Sequence, residues 1–250
     1  MTHLKDAKTY LTLTTAILLS VVFMNNAAAQ KVLVQTGFEE FTTGKIPEDW
    51  EAQGDGFEVT DDTVKTDKKS LAILGGADGD GLGVPIETEH PITSVEFWVY
   101  IEGGGRSLNV KIGSADNIGE NNGGTYINWD ANIVRLYDGA AWQPIGDFET
   151  DVWKYIRIVA DFDKSEFDFY AGDSRDKALN AKPEKGLAFR NAALGPVAKW
   201  LVFYVWGMTA AGYVDELLVY EGDEPLELAV EAGSKLTTMW GNIKTEGQPR

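Results

Sequence analysis

Cysteine is absent from this 250-residue chain. That removes disulfides, thiolate nucleophiles and cysteine zinc sites, so a protein working outside the cytoplasm would have to rest on its core. Histidine is scarce, with only His3 and His90. A histidine metal site or a Ser-His-Asp triad has too little to draw on. Positive charge is also in short supply: 22 Lys and Arg against 39 Asp and Glu give a net charge of −17. Nucleic acids and anionic lipid surfaces need clustered Lys and Arg, so this balance argues against both as partners and favours an affinity for cations. The glycine runs lack a Lys-Ser/Thr ending and a following helix, which excludes a phosphate-binding loop.

Long apolar runs are missing apart from Leu11 to Met24. Lys5 and Lys8 precede that run, Asn25 and Asn26 break it, and Ala27-Ala28-Ala29 supplies small residues before Gln30. This is the layout of a secretory signal peptide with cleavage expected after Ala29. The run is shorter than the roughly 20 residues of a spanning helix, so no membrane span is expected. The expected organisation is a leader over 1–29, one domain over 30–221, and a linker and tail over 222–250. The expected compartment is secreted or periplasmic.

What fills the domain is short alternating runs separated by Gly, Asp and Asn. In Val95 to Ile101 one face carries Val95, Phe97, Val99 and Ile101, and the other Glu96, Trp98 and Tyr100. Period-two alternation marks a strand with one face in a core. Ser107 to Ile112 repeats it. Further strands are expected at 32–34, 57–60, 71–74, 84–87, 126–129, 133–137, 153–162, 166–170, 200–206 and 213–220. Asp138-Gly139 marks a turn, and Asp163-Lys164-Ser165 joins a hairpin. Two Gly-rich segments, 75–83 and 116–124, read as loops, and 173–185 as a polar connection. About a dozen strands with no convincing amphipathic helix among them indicate an all-β, antiparallel two-sheet jelly-roll sandwich.

Several motifs add a family resemblance between Phe38 and Glu221. Gly37-Phe38-Glu39-Glu40-Phe41 with Gly44, Pro47 and Trp50 opens it, and Lys69-Ser70-Leu71 follows. Trp153 to Arg157 with Phe167 to Gly172 resembles a family hairpin, and Tyr213 to Tyr220 a closing strand. In this order they resemble the concanavalin A-like, laminin G-like jelly rolls of secreted bacterial proteins. Galactose-binding-like carbohydrate modules share the opening and closing signatures. The resemblance implies that an acid near the opening and the Asp of the closing strand, here Glu39 and Asp215, could share a structural calcium ion. Alternatively, Asp215 faces solvent or accepts backbone hydrogen bonds. Asp78 and Asp80 read as turn residues.

Some relatives of that fold are glycoside hydrolases, with two carboxylates about 5–5.5 Å apart in the retaining type. Glu166-Phe167-Asp168-Phe169 begins such a motif, but Tyr170 and Ala171 follow where a second Glu would stand. No catalytic residue is assigned. Binding is the better reading, because sugars stack on aromatic rings and bond to amides and guanidiniums. The solvent-side positions of the strands supply Trp98, Tyr100, Asn109, Tyr126, Asn128, Arg135 and Tyr204 as candidate glycan contacts on one aromatic-lined sheet. Against this stands the ordinary use of Trp and Tyr to cover apolar sheet surface. The competing classes are a structural or adhesive surface protein with protein partners, and an accessory module of a hydrolase.

Overall fold

The computed structural model describes residues 30–103, 105–119 and 124–227. The expected leader, the middle of the second Gly-rich loop and the tail from 228 lie outside the described residues. Among these, fifteen strands and one short helix follow one another. They are β1 (Val32–Thr36), β2 (Glu51–Gln53), β3 (Phe57–Thr60), β4 (Ser70–Ile73), β5 (Gly81–Pro85), β6 (Ile92–Ile101), β7 (Arg106–Gly113) and β8 (Ile127–Asp130). Then come β9 (Ile133–Tyr137), β10 (Trp142–Asp147), β11 (Trp153–Asp161), β12 (Glu166–Gly172), α1 (Arg175–Asn180), β13 (Glu184–Ala188), β14 (Trp200–Tyr204) and β15 (Gly212–Glu221).

The strands divide into two antiparallel sheets, so the protein is a β-sandwich. The first sheet runs β13-β12-β11-β6-β15-β4-β3, with β1 also on β15; the second runs β10-β9-β8-β7-β14-β5-β2. Inward residues of both form one core. Val95, Phe97, Val99 and Ile101 are fully buried, as the alternation requires. Phe97 meets the rings of Trp129 and Phe203 from the other sheet edge-on, at centroid distances of 6.5 and 6.3 Å.

Three strands escape the sequence pattern, and all lie at sheet edges. β2 is exposed throughout, β13 nearly so, and β10 carries Pro144. An edge strand with solvent on both faces has no reason to alternate, and proline is tolerated there. α1 falls inside the segment expected to be a plain connection, started by Ser174, whose side chain accepts from Lys177 N. β5 starts within the first expected loop. Gly81 and Gly83 occupy its outward positions because aromatic neighbours lean over it: a Cβ on Gly83 would lie 2.4 Å from Ile118 Cγ2 and 3.0 Å from Trp200 Cε3.

β15 hides a bulge. Asp215 pairs with Trp98 but Leu218 with Glu96, and Glu216 takes φ 49°. The one extra residue lets Leu217 and Val219 both enter the core while Asp215 faces outward.

Truncating the central ring should be costly: Phe97→Ala is expected to lose about 3–5 kcal/mol of stability. Exposed Ile133→Ser, by contrast, should change it by less than about 0.5 kcal/mol. Urea unfolding of the two variants checks both, and equal midpoints would contradict the two-sheet core.

Candidate functional site

The outer face of the second sheet gathers five of the seven expected contacts. Tyr204, Asn109, Asn128 and Arg135 stand in register across β14, β7, β8 and β9. Their polar groups form a ladder. Asn109 Nδ2 donates to the Tyr204 carbonyl at 3.0 Å, Asn128 Nδ2 to Asn109 Oδ1 at 2.9 Å, and Arg135 Nε to Asn128 Oδ1 at 2.9 Å. Arg135 also pairs with Asp130 at 2.7 Å. Buried amides need such partners, and here each fixes the next.

A second row carries rings. Tyr126 lies 5.1 Å from Trp142 and 6.2 Å from Tyr204, and Tyr137 lies 5.3 Å from Trp142. Cations sit over these rings: Lys111 over Tyr204 at 3.7 Å, Arg135 over Trp142 at 4.7 Å, and Arg190 over Tyr126 and Tyr137 at 4.9 and 5.3 Å. Asn109, Lys111, Tyr126, Asn128 and Tyr204 are buried. The half-buried members are Arg135, Tyr137, Trp142 and Arg190. The expected residues are therefore largely the floor, and the accessible surface belongs mostly to others. Tyr137 and Trp142 pair directly across the Asp138-Gly139 turn, so the turn signal could have exposed them. Arg190 comes from the connection between β13 and β14, where no period marks it.

Trp98 and Tyr100 do not join this group. They lie on β6, on the outer face of the opposite sheet, so the single aromatic-lined sheet expected from sequence is two separate surfaces. Alternation shows which residues of a strand point away from the core, but not which sheet that strand joins. Trp98 donates from Nε1 to Glu216 at 2.9 Å and lies beneath the Lys65 ammonium at 4.2 Å. Tyr100 packs on Trp153 at 5.6 Å and Tyr213 at 6.0 Å.

On that same face Glu96 is fully buried. Tyr220 donates to its Oε1 at 2.5 Å and the Tyr155 hydroxyl to its Oε2, while Arg157 and Arg175 approach to 3.3 and 2.9 Å. Burial, then the Glu96 charge, pushes Tyr220 up to about 12 and Tyr155 well above the ordinary phenol range. Both phenols stay protonated donors. The arginines reach further, to the carbonyls of Asp223 and Leu226, which lays the chain after β15 across this part of the face.

Glu39 and Asp215 each hold backbone amides of one loop. Glu39 Oε1 accepts from Lys68 N and Lys69 N at 2.9 and 2.6 Å. Asp215 is fully buried; its Oδ2 accepts from Lys65 N and Thr66 N at 2.9 and 3.0 Å, and its Oδ1 from Glu216 N at 2.7 Å. Both carboxylates therefore act here as acceptors for backbone N–H groups. Among the described residues no group of three or more His, Asp or Glu could hold a metal ion. Asp80 likewise accepts from Ala77 N at 2.9 Å, as a turn residue does. Glu166 is exposed on β12, one strand in from the edge of the first sheet, and Asp168 accepts from Gly186 N at 3.0 Å.

No family model and no curated protein sequence matches the chain. Its fold is similar to that of a solved sialidase structure at 12% identity and TM-score 0.53, over 78% of this chain and 19% of that one. It is also similar to Cellulose induced protein, Cip1, at 10% identity and TM-score 0.54, over 77% of this chain and 99% of that one. The chain thus spans about a fifth of the sialidase's length. At such identities the likeness shows a common β-sandwich architecture. Among the described residues no helix is long and apolar enough to cross a membrane.

Asp215 yields a pH prediction. Burial pushes its carboxyl up to about 6 against the pull of the amides that favour the charged form. The folded state then binds more protons than the unfolded chain between about pH 4 and pH 6, so this group's contribution to stability falls as pH rises through that window and is level above it. Asp215→Asn should lose that slope in urea titrations between about pH 4 and pH 6. A calcium titration tests the ion: with the amides in place, calcium or chelator should move the melting temperature by less than about 2 °C.

Proposed function

We propose that this chain is an extracytoplasmic, non-catalytic carbohydrate-binding sandwich whose glycan lies on the outer face of the second sheet. The observation that carries the reading is the half-buried surface of Trp142, Tyr137, Arg135 and Arg190 above the buried, hydrogen-bonded Asn109 and Asn128. Ring faces accept the C–H surface of a pyranose, and planar guanidinium forks donate in pairs to adjacent hydroxyls. Because the ladder and the cation-ring contacts already fix these groups, little ordering is left to oppose binding. The two proteins of similar fold carry names from carbohydrate biology, a sialidase and a cellulose induced protein.

The carboxylates near these rings favour binding over hydrolysis. A glycosidase needs one carboxyl held protonated as the general acid. The carboxylates described here are Asp130, engaged with Arg135, and Asp138, which backbone amides of Ala141 and Ala140 hold below the usual carboxylate range. Asp138, held low in this way, is not poised to give a proton.

A glycan array with the purified domain identifies the ligand, and Trp142→Ala should then weaken binding about tenfold or more with folding intact. A blank array from folded protein, or full affinity in Trp142→Ala, would sink the reading.

A further inference from the structure

The first sheet's outer face is closed by Arg157, Arg175 and the segment after β15, but its other end is open. There Trp153, Tyr100 and Tyr213 stand in register on β11, β6 and β15. Tyr100 and Trp153 are half-buried, so ring surface remains accessible, while Tyr213 is buried beside them. Among the described residues no cation lies over Tyr100 or Trp153, unlike the rings of the second sheet.

Two carboxylates flank this pair and are fixed in place. Asp151 has φ 60° and accepts from Gly103 N at 2.9 Å, while its own N–H donates to the Ile101 carbonyl at 2.8 Å. Glu102 accepts from the Tyr213 hydroxyl at 3.1 Å, and its N–H donates to the Ala211 carbonyl at 3.0 Å. Both side chains remain exposed. Their field reaches the rings: after burial, Asp151 and then Glu102 raise the Tyr100 phenol.

The protein itself shows what such a surface accepts. Two residues along β6, the Lys65 ammonium lies 4.2 Å from the Trp98 ring centre, with the Glu216 carboxylate bonded to the indole N–H. The ring quadrupole favours an ammonium over its face, and a carboxylate nearby adds to that attraction. Around Tyr100 and Trp153 the rings and carboxylates are present, and the ammonium is not.

We propose that Tyr100, Trp153, Glu102 and Asp151 form a second binding site, for a glycan that carries protonated amino groups. Two half-buried rings with centroids 5.6 Å apart and planes tilted by 53° offer the sugar ring surface to pack on, and the flanking carboxylates select the charged amine over its neutral acylated form. This site stands apart from the surface proposed above, on the opposite sheet.

Calorimetric titration with a fully deacetylated glucosamine hexamer tests it, beside the N-acetylated hexamer and hexalysine. The deacetylated hexamer should bind, and at least about tenfold more tightly than the other two. Glu102→Gln/Asp151→Asn keeps the shape and the αL-tolerant residue at 151, yet should cost about tenfold or more; Trp153→Ala should act likewise. Removing two exposed acids elsewhere, Glu87→Gln/Glu184→Gln, should change nothing. The proposal fails if the acetylated hexamer binds equally well, or if hexalysine matches the sugar, which would make the face a site for basic peptides. It also fails if both acid pairs act alike, as net charge alone would require. Loss of binding in Trp142→Ala with full binding in Glu102→Gln/Asp151→Asn would assign the amine glycan to the second sheet instead.

Discussion

A carboxylate with no solvent contact in the middle of an eight-stranded sheet governs the outer layer of that sheet. Glu96 cannot stay charged there alone, because the cost of leaving water is several kcal/mol per ion. Two phenols and two guanidiniums meet it. Arg175 belongs to α1, so the helix is drawn onto the sheet. Arg157 and Arg175 then have donors left over, and these take the carbonyls of Asp223 and Leu226. One buried charge thus positions the helix, orders the segment after β15 and decides which part of the face is closed. The part left open is where Tyr100 and Trp153 lie.

The second sheet solves the same problem with amides in place of a central carboxylate. Asn109 and Asn128 are neutral, so their burial needs hydrogen bonds but no counter-charge. Charge enters only at the end of the ladder, where Arg135 is half-exposed and paired with Asp130. Lys111 is the exception, buried with its ammonium 3.7 Å from the Tyr204 ring centre and 3.4 Å from the Gly119 carbonyl. Quadrupole attraction and carbonyl acceptance take the place of water. In a chain of net charge −17, three of its cations are concentrated on this ring cluster, whereas exposed carboxylates border the open rings of the other sheet. The two faces therefore differ in electrostatic character while sharing their aromatic content.

How far the sequence could foretell this follows from where its information lies. β6 and β11 were legible because one buried face forces apolar residues to every second position. β2, β10 and β13 were not, since a strand wet on both sides imposes no such rule. The bulge at Glu216 was hidden in YVDELLVY, where both a plain strand and a bulged one bury Leu and Val. Gly81 and Gly83 read as loop, because nothing local says that Tyr204 will cover the first and Trp200 and Ile118 the second. For the candidate site the loss was larger. Trp98 and Asn109 are both outward-facing, but only pairing between distant strands places them on opposite sheets.

Position in the pleat does not by itself make a residue available to a ligand. Asn128 and Tyr204 point away from the core and are nevertheless fully buried, because each outer face carries a second layer of its own. In that layer the inner members hold the outer ones. Asn128 fixes Arg135, and Tyr126 packs against Trp142. A polar residue with an outward place in the strand and no solvent contact therefore marks a support, and the residue it bonds or packs against marks the surface. That relation moves the candidate contacts from Asn109, Asn128 and Tyr204 to Arg135, Tyr137, Trp142 and Arg190, whose exposed parts a ligand can reach without disturbing the layer beneath.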